Sequence, residues 1–146
     1  SGAKRVICCD IDPISLDACR ANAELNGVEL EYLEDLYQAE PVDVLLAADV
    51  LYDQCNRFFL DEFLKFSSEV WVADSRVKNF SHPNYEKLDE RSATTWPDLD
   101  ESKEFRNVSF YKTLSWSWVS FKSYLVLILK IDATEGPNLA AELLKL

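Results

Sequence analysis

The chain has 146 residues, one domain's worth, and its 48% hydrophobic content suffices for a buried core, which excludes disorder as a description of the whole. Fifteen Lys and Arg against 26 Asp and Glu give a formal charge of −11. That argues against a nucleic-acid partner, which would need a basic stripe to displace counterions from phosphates, and favours either a basic partner or simple solubility.

Ser1-Gly2-Ala3-Lys4-Arg5 is followed by no apolar region of the secretory kind, so a cytoplasmic location is expected. The run Arg5-Val6-Ile7-Cys8-Cys9 is apolar without alternation, as suits a parallel strand covered on both faces, and stops at Asp10-Ile11-Asp12-Pro13. Cys8 and Cys9 face opposite sides of such a strand and cannot share a metal. With Cys19 and Cys55 they make no CxxC pair, so all four read as small buried residues and no metal is expected. Asp12 as N-cap and Pro13 at the first helical position open a helix with Ile14, Ala18, Ala21 and Leu25 on one stripe. Gly27 supplies the left-handed residue past its end.

A second short strand lies within Val28 to Leu33 and ends at Glu34-Asp35-Leu36. A third, Val42 to Ala48, ends at Asp49-Val50-Leu51-Tyr52-Asp53, and an amphipathic helix over Asn56 to Phe66 puts Phe59, Phe63 and Phe66 in the core. Glu69 to Ala73 is a fourth strand, ending at Asp74-Ser75-Arg76. Four strands with short crossovers imply an α/β, doubly wound, mostly parallel sheet. Residues 77–104 are polar and read as loop, with a short helix around Tyr85 to Leu88 as an option. His82, the only histidine, falls in that loop. Val108, Phe110 and Leu114 alternate with polar neighbours as in a half-exposed strand, and Tyr124 to Ile131 is another strand. Its apolar core, Leu125 to Leu129, is bracketed by Lys122 and Lys130 and is far shorter than the roughly 20 residues of a membrane span, so no membrane partner is expected. Pro137 opens a terminal helix through Leu139, Leu143 and Leu146.

Ligands of open parallel sheets bind outside the carboxyl ends of the strands, and here an acid stands at four such ends: Asp10, Asp35, Asp49 and Asp74. Any one of them is explained as a cap or a solvated turn; four in succession mark a site. A short carboxylate there can accept both hydroxyls of a ribose, and Asp10, directly after the buried run, is the best placed. Asp12 reads as the helix cap. Asp35 is able to accept from an exocyclic adenine amine, with Leu36 against the ring.

Asp10-Ile11-Asp12-Pro13 with Ala21-Asn22-Ala23-Glu24-Leu25-Asn26-Gly27 resembles the second strand and following helix of class I, seven-β-strand S-adenosylmethionine-dependent methyltransferases. Val42 to Asp53 resembles their fourth strand and the motif after it, closest to the lysine methyltransferase group with its Asp/Glu-x-x-Tyr/Phe signature, here Asp49-Val50-Leu51-Tyr52. Ala73-Asp74-Ser75-Arg76-Val77 and Thr94-Thr95-Trp96-Pro97 are similar to bacterial members of the nicotinamide N-methyltransferase-like or electron-transfer-flavoprotein lysine methyltransferase-like groups. The resemblance runs over about residues 3–113 and implies a Rossmann-like sheet with S-adenosylmethionine as cofactor. It implies that Asp10, Ile11, Asp35, Leu36 and Asp49 border the cofactor, and that Asp49 and Tyr52 border the methyl-transfer site. The implied activity is N-methylation of a protein lysine; rivals are a small-molecule amine methyltransferase, a non-catalytic interaction module and a nicotinamide-dinucleotide dehydrogenase, which leaves Asp49-Val50-Leu51-Tyr52 unexplained.

Two departures stand out. With Gly2, Gly27 and Gly136 only, the chain has no Gly-x-Gly, so the family's first strand and glycine-rich loop are missing and poor cofactor binding by the chain alone is expected. The neighbours of the first parallel strand would then be bare, which favours a second copy covering an exposed sheet edge. At the other end, the family pattern closes the sheet near Arg91–Thr95 and Val108–Thr113, leaving 115–146 of this single domain, with Trp116 and Trp118, as surplus. The alternative makes Val108–Leu114 and Tyr124–Ile131 the last pair of strands.

Overall fold

The computed structural model describes residues 3–77, 80–94 and 102–114, and the backbone of 124–129. Among the described residues seven strands form one mixed sheet: β1 (Arg5–Cys9), β2 (Glu31–Leu33), β3 (Val44–Ala48), β4 (Val70–Asp74), β5 (Tyr85–Ser92), β6 (Asn107–Thr113) and β7 (Tyr124–Leu129). Their spatial order is β2-β1-β7-β3-β4-β6-β5. β1 pairs in parallel with β2 and β7, and β3 in parallel with β7 and β4. β6 runs antiparallel to both β4 and β5. The chain is therefore α/β, with a parallel body and an antiparallel edge.

Helix α1 (Pro13–Asn26) follows β1 and starts as its sequence dictates, Asp12 Oδ1 accepting from Ile14 N at 2.9 Å. Gly27, at φ 63°, ends it with two bonds, Gly27 N to Glu24 O and Val28 N to Ala23 O. No side chain stands within 4 Å of where a Cβ would be, so only backbone strain opposes a substitution. Gly27→Ala is expected to lower stability by about 1 kcal/mol, read by urea unfolding.

The face of α1 that meets the sheet is not the predicted one. Leu16, Cys19 and Ala23 are buried with Ser15, whereas Ile14 is 63% and Leu25 84% exposed. The helix carries two apolar stripes, and the path of the chain out of β1 turns the Leu16 stripe inward. Leu16, Cys8 and Cys19 form a small core on that side, with Leu30 and Tyr32 against it. Cys9, one residue on, faces the opposite side and joins the main core of Leu45, Val70, Val72, Leu51, Leu60, Phe63, Tyr85 and Tyr111. The alternation of side chains along β1 thus separates the adjacent cysteines as expected, but Cys55, expected to be buried like the other three, is exposed in the 3-10 turn after β3.

Three further expectations are corrected. The amphipathic stretch after residue 53 is a 3-10 turn (Gln54–Phe58) followed by a short helix α2 (Phe59–Phe63), not one helix to Phe66; Phe63 is buried, and Phe59 and Phe66 pack against the core. The region around Tyr85 to Leu88 is neither loop nor helix but strand β5. Only Tyr85 of that strand is buried, its hydroxyl donating to Leu60 O at 2.8 Å, and a bulge lies between Lys87 and Asp89. With both faces wet, charged residues occupy both, so the alternation that marks a half-buried strand is missing. His82 packs on Tyr85 with Nε2 3.4 Å from Asp61 Oδ1, joining the start of this strand to α2.

The last correction concerns β7. It does not pair with β6 but lies between β1 and β3, at the centre of the sheet. The gap expected beside β1 is closed by the chain itself, so no second copy is needed to cover that edge. Among the described residues the outer strands are β2, three residues long, and the charged β5, both poor templates for further pairing. Trp116, Trp118 and residues 137–146, where a terminal helix was expected, lie outside the described residues. Among the described residues no helix is long and apolar enough to cross a membrane.

Candidate active site

The parallel strands end in a common row. Cys9 is level with Leu33 of β2 and with Ile128 of β7, and Ile128 is level with Ala47 of β3. Asp10 therefore stands one step past the end of β1 with Asp35 beside it, and Asp49 stands past β3, two strand spacings or roughly 10 Å away across β7. Ala48 is level with Ala73, which brings Asp49 and Asp74 side by side. The four strand-end acids fall into two pairs, one on each side of β7.

In the first pair, Asp10 is buried and its Oδ1 accepts from Asp12 N at 2.8 Å; its own N donates to Leu33 O, which ties the two loops together. Asp35 Oδ1 accepts from Tyr37 N at 2.9 Å and caps the 3-10 turn Leu36–Gln38. Both carboxylates act on the Cys9 thiol between them: burial first, then the charges of Asp10 and Asp35, push it up to about 11. Asp10 and Asp35 thus place two carboxylates past the ends of two neighbouring strands. Ile11 is 85% exposed in the bend between Asp10 and Asp12. Leu36, expected against a ring, is packed into the main core beside Cys9 and presents little surface.

The second pair is laced together. Asp49 Oδ1 accepts from both Ser75 N and Ser75 Oγ, each at 2.8 Å, so the acid after β3 holds the loop after β4. Asp74, 1% exposed, returns the link: its Oδ2 accepts from Leu51 N at 3.1 Å, while Oδ1 accepts from Arg76 N and Val77 N. Burial raises the Asp74 carboxyl above its ordinary range against the pull of these backbone donors, and the neighbouring charge of Asp49 adds to the rise. Asp49 has φ 47°, the one positive value outside glycine among the described residues, and its N donates to Ala73 O. Aspartate is among the few residues that tolerate this region.

The N-terminal stretch 1–69 matches the family model described as ribosomal protein L11 methyltransferase (PrmA). The ribosomal protein L11 methyltransferase of Aquifex aeolicus (strain VF5) is 39% identical over 64 residues, 44% of this chain and 24% of that protein. The chain thus spans about a quarter of the length of this curated relative. A crystal structure of an rRNA methylase from Escherichia coli aligns with 79% of this chain and 59% of its own, at 11% identity and a TM-score of 0.39. The sequence similarity is to methyltransferases, and the group matched is the ribosomal protein L11 one rather than the lysine or nicotinamide groups.

Tyr52 is 42% exposed and lies under the Arg76 guanidinium, 6.0 Å from the ring centroid; the same guanidinium covers Phe105 at 5.0 Å. Below Tyr52, Val50 and Leu51 are buried, and Asn56 Nδ2 holds Val50 O at 2.9 Å. Ser75, Arg76 and Phe105 were not expected at this site. Ser75 and Arg76 directly follow a strand-end acid and are legible to that extent. Phe105, more than fifty residues from Tyr52, carries no local signal.

Proposed function

We propose that this chain is an S-adenosylmethionine-dependent N-methyltransferase acting on a protein lysine, within a Rossmann-like arrangement of its sheet. The observation that carries the reading is the split of the strand-end acids: Asp10 and Asp35 on one side of β7, Asp49 with Tyr52 on the other, facing the same edge. The similarity of residues 1–69 to a methyltransferase family supports it. A protein acceptor is favoured because the matched relative is named for a protein substrate and because Tyr52 is open to the surface. Asp49-Val50-Leu51-Tyr52 supports lysine as the residue modified.

Asp10 accepts from the ribose hydroxyls, Ile11 lies over the nucleoside, and Asp35 accepts from the adenine amine. The cofactor, when bound, supplies a methyl group activated on a sulfonium. Asp49 accepts a hydrogen bond from the lysine amine and orients its lone pair, and Tyr52 walls the channel and favours the cationic product. Most of the rate gain of such a displacement comes from alignment and exclusion of water, which these residues can provide.

Saturation-transfer NMR with S-adenosylhomocysteine tests the cofactor half of the reading at weak affinity. Transfer to the adenine and ribose protons is expected. Asp10→Ala should weaken binding about 10- to 100-fold, the loss of hydrogen bonds to a charged group. A folded wild-type chain that gives no transfer even at millimolar S-adenosylhomocysteine, where a weak site would still fill, overturns the cofactor half of the reading.

A further inference from the structure

We infer that Ser75 is a positioning residue that fixes the rotamer in which Asp49 presents its second carboxylate oxygen to the acceptor amine, an assignment that rests on the methyl-transfer reading above. Ser75 contributes two donors, its backbone N and its Oγ, and both go to the same atom, Asp49 Oδ1. No described residue donates a hydrogen bond to Oδ2. The carboxylate is thereby divided into an anchored oxygen and an open one.

The anchor is rigid at both ends. Ser75 is 7% exposed and follows Asp74, whose carboxylate pins Arg76 N and Val77 N behind it and Leu51 N across the loop. Asp49 is held from the other direction by its left-handed backbone and its bond to Ala73 O. A short acid on a loop otherwise has several rotamers, and each displaces its oxygens by more than a methyl transfer tolerates. Two convergent donors on one oxygen select a single rotamer. The backbone donor remains in any variant, so the hydroxyl is the part that mutation can test.

Three variants separate this role from a role in folding. In wild type and Ser75→Thr, scalar couplings across Asp49 χ1 should report one rotamer; in Ser75→Ala they should average. Methyl transfer to a lysine peptide should fall about tenfold in kcat for Ser75→Ala, with KM for the cofactor changed less than about twofold and threonine restoring the rate. Adding Ser75→Ala to Asp49→Asn should cost nothing more, because the oxygen being aimed is already lost. An unchanged Asp49 rotamer in Ser75→Ala overturns the inference, and so does an equal loss of rate in the Asp49→Asn background. A wild-type chain that holds a single Asp49 rotamer yet transfers no methyl group overturns the functional reading itself, and with it the role of the rotamer in catalysis.

Discussion

Asp49→Asn is expected to lower kcat for methyl transfer by at least about 100-fold while leaving the protein folded. Asparagine keeps an oxygen able to accept from Ser75 N and Oγ and tolerates the left-handed backbone at φ 47°. What it changes is the open atom, which becomes an NH2 donor facing the amine in place of an acceptor. Steady-state rates on a lysine peptide measure the loss, and unfolding curves within about 0.5 kcal/mol of wild type show that stability is spared. Binding of S-adenosylhomocysteine should change only a few-fold, since Asp10 stands about 10 Å away across β7 and Asp35 one strand further. A variant that retains full kcat would remove Asp49 from the chemistry.

Asp74→Ala is expected to lower stability by about 3 kcal/mol or more in urea unfolding, because three backbone donors lose their acceptor in a buried place. Asp74→Asn keeps one acceptor oxygen and should cost about 1–2 kcal/mol. The two differ from wild type in pH dependence with a definite sign. Burial raises the folded-state carboxyl of Asp74 above its unfolded value, so the folded form binds the proton more tightly. Its contribution is fully present below the unfolded value of about 3.9 and is lost as pH rises through the folded value. Wild type should therefore gain stability relative to Asp74→Asn as pH falls from neutrality into the carboxylate range. The difference between the two curves is the quantity to read, since acid unfolding by the other carboxylates cancels. A difference that shrinks on acidification would falsify the assignment of burial as the dominant cause.

The candidate site was legible wherever it depends on where an apolar run stops. Asp10, Asp35, Asp49 and Asp74 each follow such a run, and each stands at the end of its strand in the folded sheet. The Asp12 cap, Pro13 and the Gly27 terminus of α1 were legible for a related reason: each is a local solution to unsatisfied helix ends. What escaped were particular contacts between residues distant in the chain. Ser75 gains its role only because β3 and β4 are neighbours, and Phe105 only because Arg76 reaches it. Strand β5 escaped because its residues answer to solvent on both sides and to β6 on one edge, which leaves no periodicity to read.

By itself, then, the sequence determined the strands β1 to β4, the caps of α1 and the positions of the four acids. These are set by hydrophobic runs and by backbone groups within a few residues of one another. Only the tertiary structure decided which stripe of α1 turns inward, since Leu16 and Ile14 head two apolar faces of one helix and local propensity is indifferent between them. Only it decided that β7 enters between β1 and β3 rather than beside β6. A strand with apolar residues throughout can pair anywhere its two faces are covered, so its place follows from the gap the other strands leave. That choice sets the distance between Asp10 and Asp49, because strand spacing in a sheet is fixed by backbone hydrogen bonding and not by the side chains at its edge.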